Sequence, residues 1–556
     1  MMQTRAKATR AALIAAVALA AGGASAAGCH PGVDVDVTVY TAGAFDVFGA
    51  ADKVRVTAIG TDAETGAREI LKSREYGANS GHATLGLIPF SEGMQIRVET
   101  LDTSGNVTGY GASLLHDILK DTPSDDIPVS VFVFVTPIKT VVPALRASDQ
   151  LPTTMPAGRV GMATAVLPDG RILVTGGAVM ATDTLGHIDP STIARYAEVF
   201  DAESGRFVSI ADTMAMLNPL NAPRAFHTAT LLPDNGVLIA GGLTQQMGML
   251  STLTSGEVFE FDSCSFPSPD AIVQTALCAF IPVPTLMSDA RAHHTATLRD
   301  DGSVLIAGGT FEQVVMPGSF DVTFLNTTEL YTRANGFAAA ATMSDERAYH
   351  TATLLPSGDV LVTGGIGADG VGNPEVLASA EIYTGTGWTG IGAMSTPRAY
   401  HTANLATYAD GTQVVLVAGG YTTASFDPMG RTLFSAPSAL VETYDPAVGF
   451  NPMLARVIPG MVQIAEHTGT TLPSGKVALL GGKTGGGLPS VFAITLDPSP
   501  MGPGFLSDPS GVLSTPRATH GAELLPGGQV LIFGGFNASG GTPIVYNTAE
   551  VYTPPL

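Results

Sequence analysis

A closed ring of seven small antiparallel sheets, an all-β seven-bladed propeller, is the fold that three observations on this sequence predict. A block of 19 residues, written RAYHTATLLPSGDVLVTGG in its fourth copy at 347–365, recurs with variations seven times. The paired glycines that close the blocks lie 53–67 residues apart, and self-similarity at a long period indicates a repeat architecture. Each block consists of short apolar runs broken by turn residues, without the 3.6-residue apolar stripe of a helix.

Each repeat contains the turns that four antiparallel strands require. In the fourth copy Pro356-Ser357-Gly358 predicts a tight hairpin, because proline presets φ and glycine accepts a positive φ. The glycine pair ends the second strand, and a third strand follows with the pattern Glu-x-Tyr or Glu-x-Phe. Four strands per repeat, arranged radially, are typical of a propeller blade. A fourth strand is expected to begin near an aromatic residue: Phe207, Phe337, Trp388 or Phe450.

The two ends of the repeat region predict how the ring closes. The seventh copy stops after its third strand at 549–552, whereas 141–155 precedes the first copy as a strand without a repeat of its own. We expect this N-terminal strand to complete the seventh blade, because an open ring would leave two sheet edges unpaired.

Several residues of the block resemble the kelch repeat. The glycine pair, the Glu-x-Tyr strand, the following aromatic residue and a Met-x-x-x-Arg spacer occur together over about residues 140–556. The chain resembles bacterial kelch-repeat lipoproteins, which implies a kelch-type propeller. Two copies depart from the pattern: the first has Met162 where others have histidine, and the sixth has Ile464 in place of arginine and lacks the third-strand glutamate.

Arginine and histidine recur at fixed positions of the block, and we interpret them as structural. Rotational symmetry spreads equivalent residues around the ring, so they cannot all converge on one centre. The repeated glutamates are predicted to bind the arginines through charge-assisted hydrogen bonds, and the histidines to link strands. The structural set is Arg224, His227, Arg291, His294, Arg347, His350, Arg398, His401, His467, Arg517 and His520, with glutamates Glu198, Glu257, Glu329, Glu381, Glu442 and Glu550.

Residues 1–28 are typical of an export signal, with Arg5, Lys7 and Arg10 ahead of an apolar stretch at 11–21. The sequence AAGC at 26–29 resembles a bacterial lipoprotein processing site, which implies that Cys29 carries the lipid. Ordinary signal cleavage after 24–26 is the alternative, and would leave Cys29 as a free thiol. The expected location is the bacterial cell envelope, at the outer membrane or the cell surface.

A second β-domain is predicted between the signal and the repeats, over 29–138. Six strands are expected from apolar runs at 33–40, 53–59, 83–88, 95–101, 107–113 and 129–135. Such a pattern without helical periodicity suggests an immunoglobulin-like sandwich, although the Cys…Trp…Cys signature is absent from this stretch. The propeller is then expected over 139–556, with the sandwich as a spacer between lipid and propeller.

The charge of the chain restricts its partners. With 49 acidic against 27 basic residues the formal net charge is −22. Such a surface repels nucleic-acid phosphates and anionic lipid, so we expect no nucleic-acid partner and membrane attachment through the lipid alone.

The three cysteines also indicate the compartment. Cys264 and Cys278 lie 14 residues apart in an insertion of the second repeat. In an oxidising compartment we expect a disulfide between them, and two unpaired thiols are the alternative.

Two Tyr-His pairs raise one catalytic hypothesis. Tyr349-His350 and Tyr400-His401 resemble galactose oxidase, a copper-radical enzyme on a kelch propeller. That resemblance implies a copper held by two histidines and two tyrosines, one of them crosslinked to a cysteine. However, histidine recurs in six repeats, the two cysteines lie in an insertion, and no counterpart of the family's last histidine is expected after the repeats. We therefore expect no cofactor, no metal and no enzymatic activity.

Function is expected where the repeats differ, in the loops that follow the glycine pairs. These loops share one face of the ring, and the longest are at 178–195 and 421–440. The hypothesis is a monomeric, non-catalytic scaffold that binds a protein or a glycan. A copper-radical oxidase and a purely structural envelope component are the alternatives.

Overall fold

The computed structural model of the chain is built almost entirely of strands, which confirms the predicted all-β propeller class. Among the described residues, Pro190–Thr192 and Pro459–Met461 form 3₁₀ turns between the strands. No helix within the described ranges has the length and apolar character needed to cross a bilayer. The structure describes residues 15–16, 32–33, 35–41, 47–49, 51–62, 68–78, 85, 88–89, 91–118, 129–183, 185–211, 219–266, 275–316, 319–451, 455–498, 506–508 and 511–555. Cys29 and the predicted signal, apart from Ala15–Ala16, lie outside these residues.

The N-terminal domain contains six longer strands that follow one another as a single connected path. The strand Val129–Pro137 joins its two halves, because 129–135 pairs in parallel with Val35–Thr41 while its last two residues pair with Gly109 and Tyr110. The immunoglobulin-like assignment stays a prediction. The longer strands are Val35–Thr41, Lys53–Asp62, Arg68–Gly77, Ser91–Leu101, Val107–Ala112 and Val129–Pro137; shorter ones are Ala15–Ala16, Gly32–Val33, Ile88–Pro89 and His116–Ile118.

One strand of this domain, Arg68–Gly77, has no counterpart among the sequence predictions. It forms the edge of the sheet beside Lys53–Asp62, and most of its side chains are exposed. Its sequence REILKSREYG is rich in charge, which hides the alternating pattern of a half-buried strand but protects an exposed sheet edge from pairing with other chains. The predicted strand at 83–88 lies largely outside the described residues.

Seven antiparallel groups of four strands follow, and each corresponds to one copy of the repeat. The outer strands of the first two groups also pair in parallel, at 209–211 with 275–277, and so join these groups into one eight-stranded sheet. We number these blades 1 to 7 in chain order and give their strands from the inside of the ring outward. They are Ala163–Val166, Ile172–Thr175, Ala197–Asp201 and Arg206–Ala211 in blade 1; Thr228–Leu231, Val237–Ala240, Gly256–Ser265 and Thr275–Pro282 in blade 2; Thr295–Leu298, Val304–Ala307, Thr328–Thr332 and Gly336–Ala339 in blade 3; Thr351–Leu354, Val360–Thr363, Ser379–Tyr383 and Trp388–Ala393 in blade 4; Thr402–Thr407, Gln413–Ala418, Leu440–Asp445 and Gly449–Phe450, with Arg456–Val457 beside the third, in blade 5; Thr468–Thr471, Val477–Leu480, Ala493–Asp497 and Leu506–Asp508 in blade 6; Gly521–Leu524, Val530–Phe533, Ala549–Thr553 and Thr140–Pro143 in blade 7.

The second strand of each blade forms the core of the ring. Val237–Ala240 and Val304–Ala307 are buried along their whole length, since neighbouring blades cover both of their faces. Leu238 of blade 2 and Ile306 of blade 3, for example, share one apolar cluster. Burial on both faces explains why these strands read as continuous apolar runs and not as an alternating pattern.

The ring is closed by the N-terminal strand that the sequence predicts. Thr140–Pro143 pairs antiparallel with Ala549–Thr553 and becomes the outer strand of blade 7. The regular strand ends at Pro143, so the predicted extent to residue 155 is too long. A second contact closes the inside of the ring, where the backbone N–H of Gly535 in blade 7 donates to the carbonyl oxygen of Arg159 in blade 1 over 2.9 Å.

Outer strands begin at the predicted aromatic residues, and each aromatic packs on the third strand. Phe207 lies 5.1 Å from Phe200 between ring centroids, and Phe337 lies 5.2 Å from Tyr331. Trp388 and Phe450 make equivalent contacts with Tyr383 and Tyr444. The aromatic of the Glu-x-Tyr strand and the aromatic that follows it therefore form one packing unit.

The N-terminal domain packs against blades 7 and 1. The amide nitrogen of Gln529 donates to the carbonyl oxygen of Tyr110 over 3.2 Å and to Oγ1 of Thr136 over 2.6 Å. The hydroxyl of Tyr40 donates to the carbonyl oxygens of Ala202 and Glu203. Since Tyr40 and Phe134 also join the apolar cluster of blades 7 and 1, the two parts share a core.

A disulfide joins Cys264 and Cys278, as predicted, at the ends of the two long outer strands of blade 2. Replacing both cysteines with alanine should lower the free energy of unfolding by about 3 kcal/mol, because the bond closes a short loop in the unfolded chain. Denaturant unfolding of the oxidised protein and the double variant measures this difference. Reductant should destabilise the wild type and leave the double variant unchanged; equal stabilities would contradict the prediction.

Candidate functional site

A cavity of about 630 Å³ opens at the mouth of the ring, on the face that carries the loops after the glycine pairs. Two of its walls are parts of the loops that the sequence marked as longest, 178–195 of blade 1 and 421–440 of blade 5. In blade 5 this loop is a two-stranded hairpin, Tyr421–Phe426 and Thr432–Pro437, which we call the blade-5 hairpin. Other face strands are Leu243–Gln246, Met249–Thr252, Thr310–Met316, Ser319–Phe324, Ile366–Ala368, Pro374–Val376, Ile464–Ala465, Lys483–Thr484, Phe536–Asn537 and Ile544–Val545.

The base of the cavity is formed by the residue directly before the repeat histidine position in blades 2 to 7, and Gly161 holds the same position in blade 1 without lining the cavity. Each of these residues has a positive φ, between 47° and 65°, which residues other than glycine rarely adopt. Six backbone N–H groups donate to the carbonyl oxygen of the equivalent residue in the preceding blade, over 2.7–3.3 Å. The repeat geometry thus holds these residues as a hydrogen-bonded belt around the mouth. The belt consists of Gly161, Phe226, His293, Tyr349, Tyr400, Glu466 and Thr519.

Four consecutive belt residues form an aromatic arc. The ring centroids of Phe226 and His293 lie 4.4 Å apart, those of His293 and Tyr349 4.2 Å, and those of Tyr349 and Tyr400 4.6 Å. Phe434 of the blade-5 hairpin packs edge-on against both tyrosines, at 5.2 and 5.1 Å. Burial and the nearby carboxylates raise the pKa of both tyrosines well above the usual range, so their hydroxyls stay protonated.

The belt residue that follows the aromatic arc, Glu466, is part of a buried ion pair. Nζ of Lys483 lies 2.8 Å from Oε1 of Glu466, and both side chains are almost wholly buried. The hydroxyl of Tyr421 donates to the same carboxylate oxygen over 2.9 Å, and Lys483 also donates to the carbonyl oxygen of Leu185 over 2.7 Å. These bonds fix Glu466 and tie blades 5, 6 and 1 together at the mouth.

A second carboxylate in the cavity, that of Glu312, has only neutral neighbours. Oγ1 of Thr310 donates to Oε1 of Glu312 over 2.7 Å, and Nε2 of His293 lies 3.6 Å from the same oxygen. Burial lowers the pKa of His293 to about 3, so the imidazole is neutral. Burial also raises the pKa of the Glu312 carboxyl group.

The blade-5 hairpin reaches across the mouth to two other blades. Its Arg431 contacts Asp183 of the blade-1 loop at 3.4 Å and Asp427 at 2.8 Å. On the blade-3 side the backbone N–H of Phe320 donates to the carbonyl oxygen of Met429 over 2.8 Å. The hairpin therefore covers part of the cavity and is held at its tip from both sides.

The repeated arginines lie inside the blades, where each binds the glutamate of the third strand. Arg224 lies 2.8 Å from Glu257, and Arg398 lies 2.6 Å from Glu442. In blade 6 both members of the pair are replaced by isoleucine. Ile464 takes the place of the arginine, and Ile494 occupies the position that the glutamate has in the strand register of the other blades. The two isoleucines belong to one apolar cluster. The predicted ion pairs are present in the other six blades, with the remaining pairs Arg159–Glu198, Arg291–Glu329, Arg347–Glu381 and Arg517–Glu550.

The repeated histidines lie between blades and not in the cavity. Nε2 of His350 lies 3.0 Å from Oγ1 of Thr295 in blade 3, and Nε2 of His401 lies 3.0 Å from Oγ1 of Thr351 in blade 4. Burial and the adjacent arginine lower the pKa of these imidazoles. Equivalent contacts to a threonine of the preceding blade are made by His227, His294, His467 and His520.

The residues of the cavity do not fit the copper site that the Tyr-His pairs suggest. Tyr349 and Tyr400 line the cavity, whereas His350 and His401 point between blades. Cys264 and Cys278 form a disulfide on the outer strands of blade 2. Over the described part of the chain, no group of three or more His, Cys, Asp or Glu side chains could hold a metal ion.

Sequence reasoning missed the belt as a set, together with Glu312, Phe434 and Lys483. The belt had a detectable signal, since its residue is the variable position inside an otherwise repeated Arg-x-x-His block. Glu312, Phe434 and Lys483 lie in strands and loops that differ between repeats, and only the folded ring brings them to one cavity.

No protein-family model and no curated protein matches the chain. Solved structures with a similar fold include YjhT, which is 11% identical at a TM-score of 0.42, over 64% of this chain and 99% of that protein. They also include a novel fungal alcohol oxidase of the AA5 family in complex with copper, 15% identical at a TM-score of 0.49, over 72% of this chain and 75% of that one. Similarity at this level concerns the fold alone and transfers no ligand or residue role.

Proposed function

We propose that the chain is a non-catalytic glycan-binding protein of the bacterial cell envelope, and that the glycan enters the cavity at the mouth of the ring. The observation that carries this proposal is the aromatic arc, with its tyrosine hydroxyls and two carboxylates beside it. Sugars present apolar faces that pack on aromatic rings, and hydroxyl groups that hydrogen-bond to carboxylates and phenols.

The shape of the site favours a short oligosaccharide or a chain end. Such a ligand can enter a recess of about 630 Å³ that is partly covered by the blade-5 hairpin. The separation of the tyrosines from the repeat histidines supports a non-catalytic role over a copper-radical oxidase, because the histidines are engaged with threonines.

A protein partner is the second candidate, and a different observation favours it. Met247 and Val371 are 94% and 83% exposed at the tips of the blade-2 and blade-4 face hairpins. Apolar side chains at projecting tips are typical of a contact surface for another protein. They lie apart from the cavity lining, so the two candidates can be tested separately.

Replacing Phe434 with alanine should weaken glycan binding at least tenfold, because the ring packs against Tyr349 and Tyr400 and extends their aromatic wall of the cavity. Glycan-array binding to bacterial envelope polysaccharides, followed by calorimetry with the best ligand, measures the loss. Met247→Ala, on another hairpin of the same face, is the matched control and should bind like the wild type. Unchanged binding by the Phe434 variant would overturn the cavity as the site, and loss of glycan binding in the Met247 variant would place the glycan at the hairpin tips instead.

Export and anchoring are part of the same proposal, since AAGC at 26–29 resembles a lipoprotein processing site. Mass spectrometry of the mature N-terminus should find Cys29 as the first residue with acyl chains attached. An unmodified N-terminus at Ala27 would contradict anchoring and leave the cavity proposal untouched.

A further inference from the structure

We infer that the ligand of the cavity carries a protonated amine that binds the carboxylate of Glu312, which makes it an amino sugar with a free, non-acetylated amino group. This inference rests on the proposed glycan-binding function and narrows it to one chemical class.

The charges in the cavity are not balanced at Glu312. Its two cations are both engaged, since Lys483 is paired with Glu466 at 2.8 Å, and Arg431 with Asp183 and Asp427. Glu312 is paired with no lysine or arginine among the described residues, although only 13% of its side chain is exposed. A carboxylate desolvated to this degree is unfavourable until a cation reaches it, and a ligand ammonium group would supply that cation.

The two carboxylate oxygens of Glu312 have different surroundings. Thr310 and His293 both approach Oε1, while Oε2 accepts no hydrogen bond within the described part of the chain. Glu312 lines the cavity beside the aromatic arc. One oxygen is therefore held in place by the protein, and the other is left for a donor from the cavity side. A charge-assisted hydrogen bond from an ammonium group to a carboxylate is stronger than one from a sugar hydroxyl.

The net charge of the chain and the tyrosine hydroxyls beside Glu312 also favour an amino sugar. The chain carries a formal net charge of −22, which attracts cationic ligands over a distance. The hydroxyls of Tyr349 and Tyr400 stay protonated beside Glu312 and offer oxygens to the rest of the sugar ring. An acetylated amine would bring a neutral amide to the carboxylate and leave its charge unpaired.

The test compares three disaccharides of the same linkage on the full mature protein by calorimetry. They are the β-1,4-linked disaccharide of glucosamine, its N,N′-diacetylated form and cellobiose. We expect the free amine to bind at least tenfold more tightly than the other two, and Glu312→Gln to abolish that preference. Phe434→Ala should weaken all three, because it changes the aromatic wall and not the charge.

The outcomes separate the inference from the function on which it rests. If the acetylated or neutral sugar binds wild-type protein as tightly as the amine, or if Glu312→Gln keeps the preference, the inference is wrong while glycan binding stands. If none of the three binds and the glycan array is also empty, both fail. Thermal unfolding of the near-isosteric Glu312→Gln variant shows whether the protein remains folded.

Discussion

Replacing Arg398 with isoleucine should lower the free energy of unfolding by about 3–5 kcal/mol, because it leaves the carboxylate of Glu442 buried without its partner. The Arg398 and Glu442 side chains are 0% and 2% exposed and lie 2.6 Å apart. The guanidinium also donates to the carbonyl oxygens of Gly419 and Leu440, which closes the turn after the glycine pair. Denaturant unfolding of the variant measures the loss.

The double variant Arg398→Ile with Glu442→Ile is the decisive comparison. Blade 6 already carries this combination as Ile464 and Ile494 in one apolar cluster, so the blade geometry accepts it. We expect the double variant to recover most of the stability lost in the single one, since no buried charge remains. An exposed ion pair is the control: Lys53→Ala, which removes the contact with Glu75, should leave the free energy of unfolding nearly unchanged. A double variant as unstable as the single one would contradict the argument.

The repeat explains how much of this fold could be predicted. A strand of four residues is a weak signal by itself, but seven copies of one block place the hairpin turns, the glycine pairs and the aromatic that starts the fourth strand. The closing strand at 140–143 could be predicted because the last copy lacks its fourth strand. The pairing of arginine with glutamate followed from the same repeat, whereas the bond between Cys264 and Cys278 was predicted from an oxidising compartment.

The cavity could not be predicted in the same way, because it is lined by residues that differ from one repeat to the next. Tyr349 and Tyr400 were noticed, but as partners of the adjacent histidines. The positive φ of the belt residues turns each side chain toward the mouth while the next residue faces the neighbouring blade. Phe434 contacts the aromatic arc from the blade-5 hairpin, and the loop at this position differs in length between repeats. In the N-terminal domain, the charged strand Arg68–Gly77 could not be predicted because it lacks the apolar alternation that indicates a strand.

Acidification should destabilise the propeller strongly below about pH 6.5, through the buried histidines that link the blades. Burial lowers the pKa of His401 and His467 to about 3 and that of the other four repeat histidines well below the usual 6.5. Between pH 6.5 and 3 the unfolded chain therefore binds protons that the folded chain does not. Their stabilising contribution is complete above pH 6.5 and decreases as the pH falls, and for His401 and His467 the decrease is about 1.4 kcal/mol per pH unit until the pH approaches 3.

Denaturant unfolding at pH 7, 6 and 5 measures this slope, and His401→Met isolates one histidine. Blade 1 carries Met162 at the equivalent position, next to the glycine pair of blade 7, so methionine fits the site between two blades. The variant is expected to lose some stability at pH 7, because the contact with Oγ1 of Thr351 is gone, but its slope should be smaller by about 1.4 kcal/mol per pH unit. All six imidazoles act in the same direction, so the wild type should lose stability continuously as the pH falls from 6.5 to 5. If the free energy of unfolding is the same at pH 7 and pH 5, the histidines are not held neutral and the links between blades are not the ones described.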